Sequence, residues 1–193
     1  MADSKQLQVR KNAVRTQCIA RRKEWHLNLT ETVCLNIAKN FLNTCDVKGK
    51  IVSGFLPIGS EIDVRPLLKM CLNAGAEICL PCVEKNNAPL LFRKWREGDV
   101  LVSEIFGTKA PHHNAQELIP DIVVTPMLAF DTQGYRMGYG GGFYDRTFAH
   151  FKKIKDIQAI GVALDIQKID TVPTGDYDIA LNKIITETKV YTF

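Results

Sequence analysis

Apolar residues follow two different spacings along the chain, and each spacing predicts a different element. Between residues 30 and 43 they recur every three or four positions, which predicts a helix with one buried face. Residues 5–24 have a helical pattern with a basic polar face. Continuous apolar and β-branched runs predict buried strands instead, and they read KIVSGFLP (50–57), AEICLPCV (76–83), DIVVTP (121–126) and IQAIGVAL (157–164).

Capping residues and turn signals predict the remaining elements. Asp63 is placed to cap a helix that has Pro66 in its first turn and Gly75 at its end. The other segments are a strand within 89–98, a loop at 98–119, a helix at 144–153 and a final strand at 183–193.

Strands and helices alternate from residue 51 onward, and this alternation predicts the fold class. We expect an α/β fold with a mostly parallel sheet and helices on both faces, a three-layer sandwich within one domain of residues 1–193. Ligands bind such sheets outside the carboxyl ends of the strands. A glycine-rich segment at 138–142 follows the strand at 121–126, so the ligand site is expected there.

The glycine-rich segment has four glycines among the five residues 138–142. Successive backbone N–H groups before a helix bind anions, and glycine lets phosphate oxygens approach them. The spacing matches neither the P-loop nor the dinucleotide-binding pattern. A tight turn that needs positive φ is the alternative, but it accounts for one or two glycines only. We therefore expect Gly140 and Gly142 to lack side chains because phosphates approach the backbone.

Two charged residues flank the glycines. Arg136 precedes them, and an arginine can bind a phosphate with two parallel hydrogen bonds. Asp145 follows them, and a carboxylate beside phosphates commonly binds magnesium. Asp145 could instead serve only as a cap or first-turn charge of the following helix.

Basic residues also recur on one face of the first predicted helix. Lys11, Arg15 and Arg22 stand at positions i, i+4 and i+11, which places them within about 40° of one another around the helix. Such a stripe suits a triphosphate, although a solvated helix surface would have the same pattern.

Composition limits the class of protein. Apolar residues make up 46% of the chain, charged residues 24%, and the net charge is +4, as in an ordinary soluble protein with a preference for anionic ligands. No apolar run approaches the length of a membrane span, and residues 1–15 lack a secretory apolar core, so we expect a cytoplasmic protein. The six cysteines, including the C-x-x-C of Cys79 and Cys82, are expected to be free buried thiols.

The glycine segment and its flanks resemble the signature of the 5-formyltetrahydrofolate cyclo-ligases, also called 5,10-methenyltetrahydrofolate synthetases. The resemblance is carried by DIVVTPMLAFDTQGYRMGYGGGFYDRTF, and three further segments agree in order and spacing: KNAVRTQCIARR, GFLPIGSEIDVRPLL and VPTGDYDIALNKIITE. It extends from about Lys11 to Thr188. It implies an ATP- and Mg²⁺-dependent ligase of folate one-carbon metabolism. We also expect a monomer, with neither nucleic acid nor a membrane as partner.

The implied reaction closes the ring of 5-formyltetrahydrofolate to give 5,10-methenyltetrahydrofolate, with release of ADP and phosphate through a phosphorylated formyl intermediate. Arg136 and Tyr144 are the implied catalytic residues, and Asp145 and Asp178 the implied Mg²⁺ ligands. The implied ATP-binding residues are Lys11, Arg15, Arg136, Met137, Gly138, Tyr139, Gly140, Gly141, Gly142, Phe143 and Tyr144. The implied folate-binding residues are Leu56, Glu61, Tyr139, Gly140, Gly141, Gly142 and Phe143.

The chemistry of the folate ring fits two of these assignments. A carboxylate such as Glu61 suits the hydrogen-bond donors of the amino-pyrimidinone edge, although Glu61 could instead cap the helix that begins near Asp63. Phe143, Tyr144 and Phe55 offer flat faces for the ring.

Two other functions stay open on the residues alone. An α/β enzyme of sugar phosphates or coenzyme A could also hold phosphate in a glycine loop. A non-catalytic module could bind nucleic acid through the basic helix, although no aromatic platform is interleaved with its basic residues.

Overall fold

Four α-helices and eleven β-strands form the described part of this computed structural model, which comprises residues 2–27, 29–104 and 107–193, with side chains from residue 5 onward. The helices are α1 (Ala2–His26), α2 (Glu31–Thr44), α3 (Arg65–Asn73) and α4 (Phe143–Phe151). The strands are β1 (Ile51–Ser53), β2 (Glu77–Cys82), β3 (Leu91–Lys94), β4 (Leu101–Ser103), β5 (Lys109–Pro111), β6 (Ile122–Thr125), β7 (Ala129–Phe130), β8 (Arg136–Met137), β9 (Gln158–Val162), β10 (Lys183–Ile185) and β11 (Val190–Thr192).

Seven strands form one sheet in the order β11-β10-β9-β6-β1-β2-β3. The four central pairings, from β10–β9 through β1–β2, are parallel. Only the edge strands β3 and β11 run antiparallel to their neighbours. The predicted mostly parallel sheet is therefore confirmed.

Helices cover both faces of this sheet. All four residues of β6 are buried, as the apolar run predicts, and they alternate between two sides. Val124 belongs to a cluster with Phe41 of α2 and Leu67 of α3, whereas Val123 belongs to a cluster with Phe148 of α4. The predicted three-layer arrangement is confirmed.

Helix α1 lies outside these two clusters and packs on a small hairpin. Its Cys18 forms a third cluster with Ala129 of β7 and Met137 of β8, together with Leu128 and Val172. The hairpin β7–β8 leads directly into the glycine segment. Helix α1 is thereby placed next to that segment.

Three boundaries differ from the prediction. Residues 98–119 contain the hairpin β4–β5 instead of only loop, and residues 183–193 form two antiparallel strands instead of one. Three-residue strands are too short to show an alternating pattern, which explains both differences. The N-cap of α3 is Val64, and Asp63 accepts hydrogen bonds from the backbone and side chain of Arg65.

All six cysteines are free and buried, as expected. Burial raises the pKa of the Cys79 thiol well above its ordinary value and that of Cys82 to about 11. Both thiols of the C-x-x-C motif are thus protonated packing groups. The described part of the chain contains no helix with the length and apolar character of a membrane span.

The order of the strands marks where a ligand should bind. From β1 the chain proceeds outward through β2 and β3 on one side, whereas β6, β9 and β10 lie on the other. The direction of winding therefore reverses between β1 and β6, and α/β sheets bind ligands in the crevice at such a point.

Candidate active site

A cleft of about 250 Å³ opens at this crevice. Pro126 and Met127 line it directly after β6, and Glu61 lines it from the segment after β1. The glycine segment forms another wall, and α1 contributes Lys11 and Arg15.

The glycine segment ends at the first turn of α4. Gly142 is the N-cap of this helix with a left-handed φ of 65°, and Gly140 has a φ of 101°. Backbone conformation thus accounts for these two glycines, where approach of phosphates was expected to be the reason. A Cβ on Gly141 would lie 2.8 Å from the Phe143 ring.

Gly138 differs from the other three glycines. Its φ is not left-handed, and a Cβ built on it meets no atom within 4 Å. Neither strain nor crowding within the protein requires glycine here. The position lines the cleft, so a ligand that approaches the backbone is the remaining physical reason for its lack of a side chain.

The two cations of α1 are anchored to the walls of the cleft. The Lys11 ammonium lies 2.5 Å from Oδ2 of Asp178. Arg15 donates from Nε to the Gly138 carbonyl at 3.0 Å and from Nη1 to Asn12 at 2.6 Å. Both side chains hold their charge beside the glycine segment.

The two candidate metal carboxylates each use one oxygen within the protein. Asp145 accepts from Arg136 at 2.8 Å and from the Ile179 backbone N–H at 3.1 Å, both through Oδ1. Asp178 accepts from Lys11 and from the Gly175 N–H, both through Oδ2. The second oxygen of each carboxylate accepts no hydrogen bond from the described residues.

Asp145 does not cap its own helix through a hydrogen bond. It lies in the first turn of α4, but its bonds go to Arg136 and Ile179 instead of to the N–H groups of that turn. Arg136 is tightly enclosed: only 6% of its side chain is exposed, and its guanidinium lies 5.0 Å from the centre of the Phe148 ring. This ion pair thus connects β8, before the glycine segment, to α4, after it.

Glu61, from the segment after β1, is buried, and Tyr144, in the first turn of α4, is partly buried against the core. Burial raises the pKa of Glu61, and the Ile58 N–H, 2.9 Å from Oε2, and the charge of Arg22 partly offset that rise. Glu61 therefore serves a turn before α3 instead of capping that helix. Burial, with the charge of Glu61, also raises the pKa of Tyr144, so its hydroxyl keeps its proton at neutral pH.

Arg22 occupies a different position from the other two basic residues of the stripe. It is 3% exposed and donates to Ser60, to the Met127 carbonyl and to the Tyr139 hydroxyl. Its guanidinium lies behind the wall of the cleft and does not line it. Of the basic stripe on α1, Lys11 and Arg15 therefore line the cleft, whereas Arg22 is buried.

The structure brings together nearly all the residues that the sequence singled out. Leu56, Phe55 and Arg22 do not line the cleft. Leu56 lines a separate depression with Trp95 and packs on the core. Phe55 is a core residue and offers no face to the cleft. Four further residues line the cleft that the sequence did not single out as site residues: Gln8, Pro126, Met127 and Pro173. Gln8 lies one turn before Lys11, so extending the basic stripe towards the N-terminus would have found it.

Comparisons with known proteins point to one family. The sequence profile of the 5-formyltetrahydrofolate cyclo-ligase family matches residues 7–187. The chain is similar to the 5-formyltetrahydrofolate cyclo-ligase of Escherichia coli, with 33% identity over 150 residues that cover 75% of this chain and 82% of the relative. It is 34% identical over 157 residues to the protein of the same name from Mycolicibacterium smegmatis, covering 77% and 79% of the two chains.

A solved structure supports the same relationship. The NMR structure of 5,10-methenyltetrahydrofolate synthetase from Aquifex aeolicus superposes with a TM-score of 0.72 and 25% sequence identity. The match covers 93% of this chain and 92% of that one. The fold therefore extends over nearly the whole of both chains.

Proposed function

Because the chain belongs to the 5-formyltetrahydrofolate cyclo-ligase family and is a ligase of that family, we propose that it converts 5-formyltetrahydrofolate to 5,10-methenyltetrahydrofolate at the expense of ATP. One observation carries the proposal. A single cleft at the carboxyl ends of β1 and β6 holds two cations, a glycine segment before a helix, two carboxylates and a buried glutamate.

The phosphates of ATP would bind between α1 and the glycine segment. Lys11 and Arg15 supply positive charge, and the N-terminus of α4 supplies backbone N–H groups and the favourable end of the helix dipole. Gly138 leaves room for the closest approach. Lys11 would exchange Asp178 for a phosphate oxygen when ATP binds.

Asp145 and Asp178 fit a magnesium ion. Both are hard oxygen donors in the cleft, and each keeps one oxygen without a hydrogen bond from the described residues. Magnesium is commonly held by one or two carboxylates and the phosphates of the substrate, so a larger protein cluster is not required. When bound, the ion neutralises charge on the phosphate groups.

The folate ring would bind towards Glu61. A buried carboxylate accepts hydrogen bonds from the amino-pyrimidinone edge, and Tyr139 and Phe143 offer aromatic faces at the cleft. Glu61 lies in a different wall from Lys11 and Arg15. The two substrates would thus meet at the middle of the glycine segment.

In the proposed reaction the formyl oxygen attacks the γ-phosphorus of ATP and ADP leaves. The folate 10-nitrogen then attacks the formyl carbon and loses its proton, and the carbon–oxygen bond breaks to release phosphate. Arg136, at the mouth of the glycine segment, stabilises charge on the transferred phosphoryl group. Tyr144, whose hydroxyl is protonated at neutral pH, donates its hydroxyl hydrogen to an oxygen of the reacting group. Positioning and charge stabilisation provide most of the catalysis.

Calorimetric titrations test whether the cleft binds both substrates. Wild-type protein is expected to bind 5-formyltetrahydrofolate without ATP, and to bind ATP more tightly with Mg²⁺ than without it. Folded protein that shows heat of binding for neither compound would contradict the proposal.

A further inference from the structure

Among the described residues, the buried guanidinium of Arg22 forms no direct ion pair, although the Glu61 carboxylate is near enough for the two charges to interact. Only 3% of the residue is exposed, and none of the ion pairs among the described residues includes it. Burial of a cation without an opposite charge is unfavourable. Packing alone therefore does not explain an arginine at this position.

The three hydrogen-bond acceptors of Arg22 among the described residues are neutral, and two of them belong to residues that line the cleft, Met127 and Tyr139. Ser60 accepts at 3.0 Å and directly precedes Glu61. The carbonyl of Met127 accepts at 3.1 Å, and Met127 lines the cleft after β6. The hydroxyl of Tyr139 accepts from Nη2, and the Tyr139 ring centre lies 5.3 Å from Cζ of Arg22.

Tyr139 needs such an anchor because it is otherwise held weakly. The residue is 51% exposed and stands between glycines on both sides. Glycine neighbours give the segment much conformational freedom, so ordering the ring costs entropy. The contacts with the buried Arg22 hold the Tyr139 ring in place, and Tyr139 still lines the cleft.

We infer that Arg22 is a positioning residue for the folate half of the site, holding Tyr139 and the segment of Glu61 in place. The inference rests on the proposed function, because it takes Glu61 and Tyr139 to contact the folate ring. Lys11 and Arg15 serve the phosphate half, so Arg22 is expected to affect folate binding more than ATP binding.

The charge of Arg22 acts on Glu61 against burial. Burial raises the pKa of Glu61, whereas the Ile58 N–H and Arg22 lower it. Tyr144 also faces this carboxylate but is neutral at neutral pH, since its own pKa is raised. Removal of Arg22 raises the pKa of Glu61 further, so the carboxylate is lost at a higher pH as the solution is acidified.

Three variants and one control test the inference. Arg22→Met removes the charge, Arg22→Lys keeps it without the planar fork, and Tyr139→Phe removes only the hydroxyl acceptor. Arg21→Met is the matched control, because Arg21 is the exposed neighbour on the same helix. Calorimetry gives the dissociation constants of 5-formyltetrahydrofolate and of Mg²⁺ with ATP separately, from mildly acidic to mildly basic pH.

Arg22→Met is expected to weaken folate binding by about tenfold or more while ATP binding changes by less than about twofold. In Arg22→Met the pH at which folate affinity has fallen by half on acidification is higher than in wild type. Arg22→Lys, which keeps the charge, returns that pH to the wild-type value. Tyr139→Phe, which leaves the core intact, weakens folate binding more than ATP binding and decides the matter if Arg22→Met does not fold. Arg21→Met behaves as wild type.

Equal losses of both affinities, or an unchanged folate affinity and pH midpoint in all variants, would overturn the inference about Arg22 while the proposed function stands. Wild-type protein that binds no 5-formyltetrahydrofolate would overturn both.

Discussion

Single glycines of the 138–142 segment differ in what a side chain would meet. Gly140 and Gly142 have left-handed φ angles, and a Cβ on Gly140 would lie 3.1 Å from the Arg15 guanidinium. Gly138 has neither constraint. The sequence shows four glycines but not their φ angles, so it cannot separate the glycine kept for a ligand from those kept for the backbone.

This difference gives a prediction for Gly138→Ala. The free energy of unfolding stays near the wild-type value because the added methyl group meets no atom within 4 Å. ATP binding weakens by about 1–3 kcal/mol because the methyl group hinders approach to the backbone. Thermal unfolding and calorimetry give the two quantities.

Gly140→Ala is expected to lower both the free energy of unfolding and the affinity for ATP, since a left-handed φ costs about 1–3 kcal/mol in a residue with a side chain. Gly49→Ala is the matched control: its φ is 68°, no atom lies near, and it is not part of the cleft. Gly138→Ala with normal ATP affinity would contradict the phosphate assignment of the segment.

Glu61→Gln separates stability from binding. The pKa of Glu61 is raised in the folded protein, so its contribution to stability is greatest below the unfolded pKa and declines as pH rises through the folded pKa. At neutral pH the buried negative charge of Glu61 destabilises the folded protein, and a neutral glutamine lacks that charge. The free energy of unfolding of Glu61→Gln at neutral pH should therefore be at least as large as that of wild type. Folate affinity falls by about tenfold or more because one acceptor becomes a donor. A less stable variant with normal folate affinity contradicts the assignment.

Asp145→Asn tests the metal assignment. The rate should require more Mg²⁺ for half-saturation, because the amide keeps the shape of the side chain but loses the charge. Asp121→Asn is the control, since it also loses an ion pair, with Lys155, but lies away from the cleft. Some loss of stability is expected in both variants. If the rate depends on Mg²⁺ concentration in the same way for Asp145→Asn and wild type, the metal assignment is wrong and Asp145 only pairs with Arg136.

At the scale of elements, α1 is predicted to act mainly on ATP. Lys11→Ala or Arg15→Ala should raise the KM for ATP by roughly tenfold to a hundredfold, as expected for a lost charge-assisted contact of about 1.5–3 kcal/mol. Arg10→Ala, an exposed site on the same helix, is the control. If Lys11→Ala and Arg15→Ala leave the KM for ATP unchanged but abolish folate binding, α1 acts on the folate and not on ATP.

Element predictions succeeded where a pattern was long enough to repeat. The helix α2 was located from its repeating apolar spacing, and the buried strand β6 from a continuous apolar run that ends at Pro126. The hairpins β4–β5 and β10–β11 consist of three-residue strands, which carry no readable period. In the second hairpin, hydrogen bonds between Thr186 and Lys189 close the turn. That contact cannot be seen in the one-dimensional pattern.

At the scale of the whole molecule, alternation of strands and helices predicted the layers but not the strand order. The order depends on which strands become neighbours, and it places the reversal of winding between β1 and β6. The cleft follows from that order. The burial of Arg22 depends on long-range packing as well, so the sequence placed it on the same stripe as Lys11 and Arg15.

Absorbance measurement of 5,10-methenyltetrahydrofolate formation tests the central claim most directly. Purified protein is supplied with 5-formyltetrahydrofolate, ATP and Mg²⁺ together, and with each of the three omitted in turn, while ADP release is measured in parallel. The account predicts product only in the complete mixture, with one ADP released for each molecule of product, as the proposed phosphorylated intermediate requires. Product formed without ATP, or ATP hydrolysis without product in the complete mixture, would contradict it.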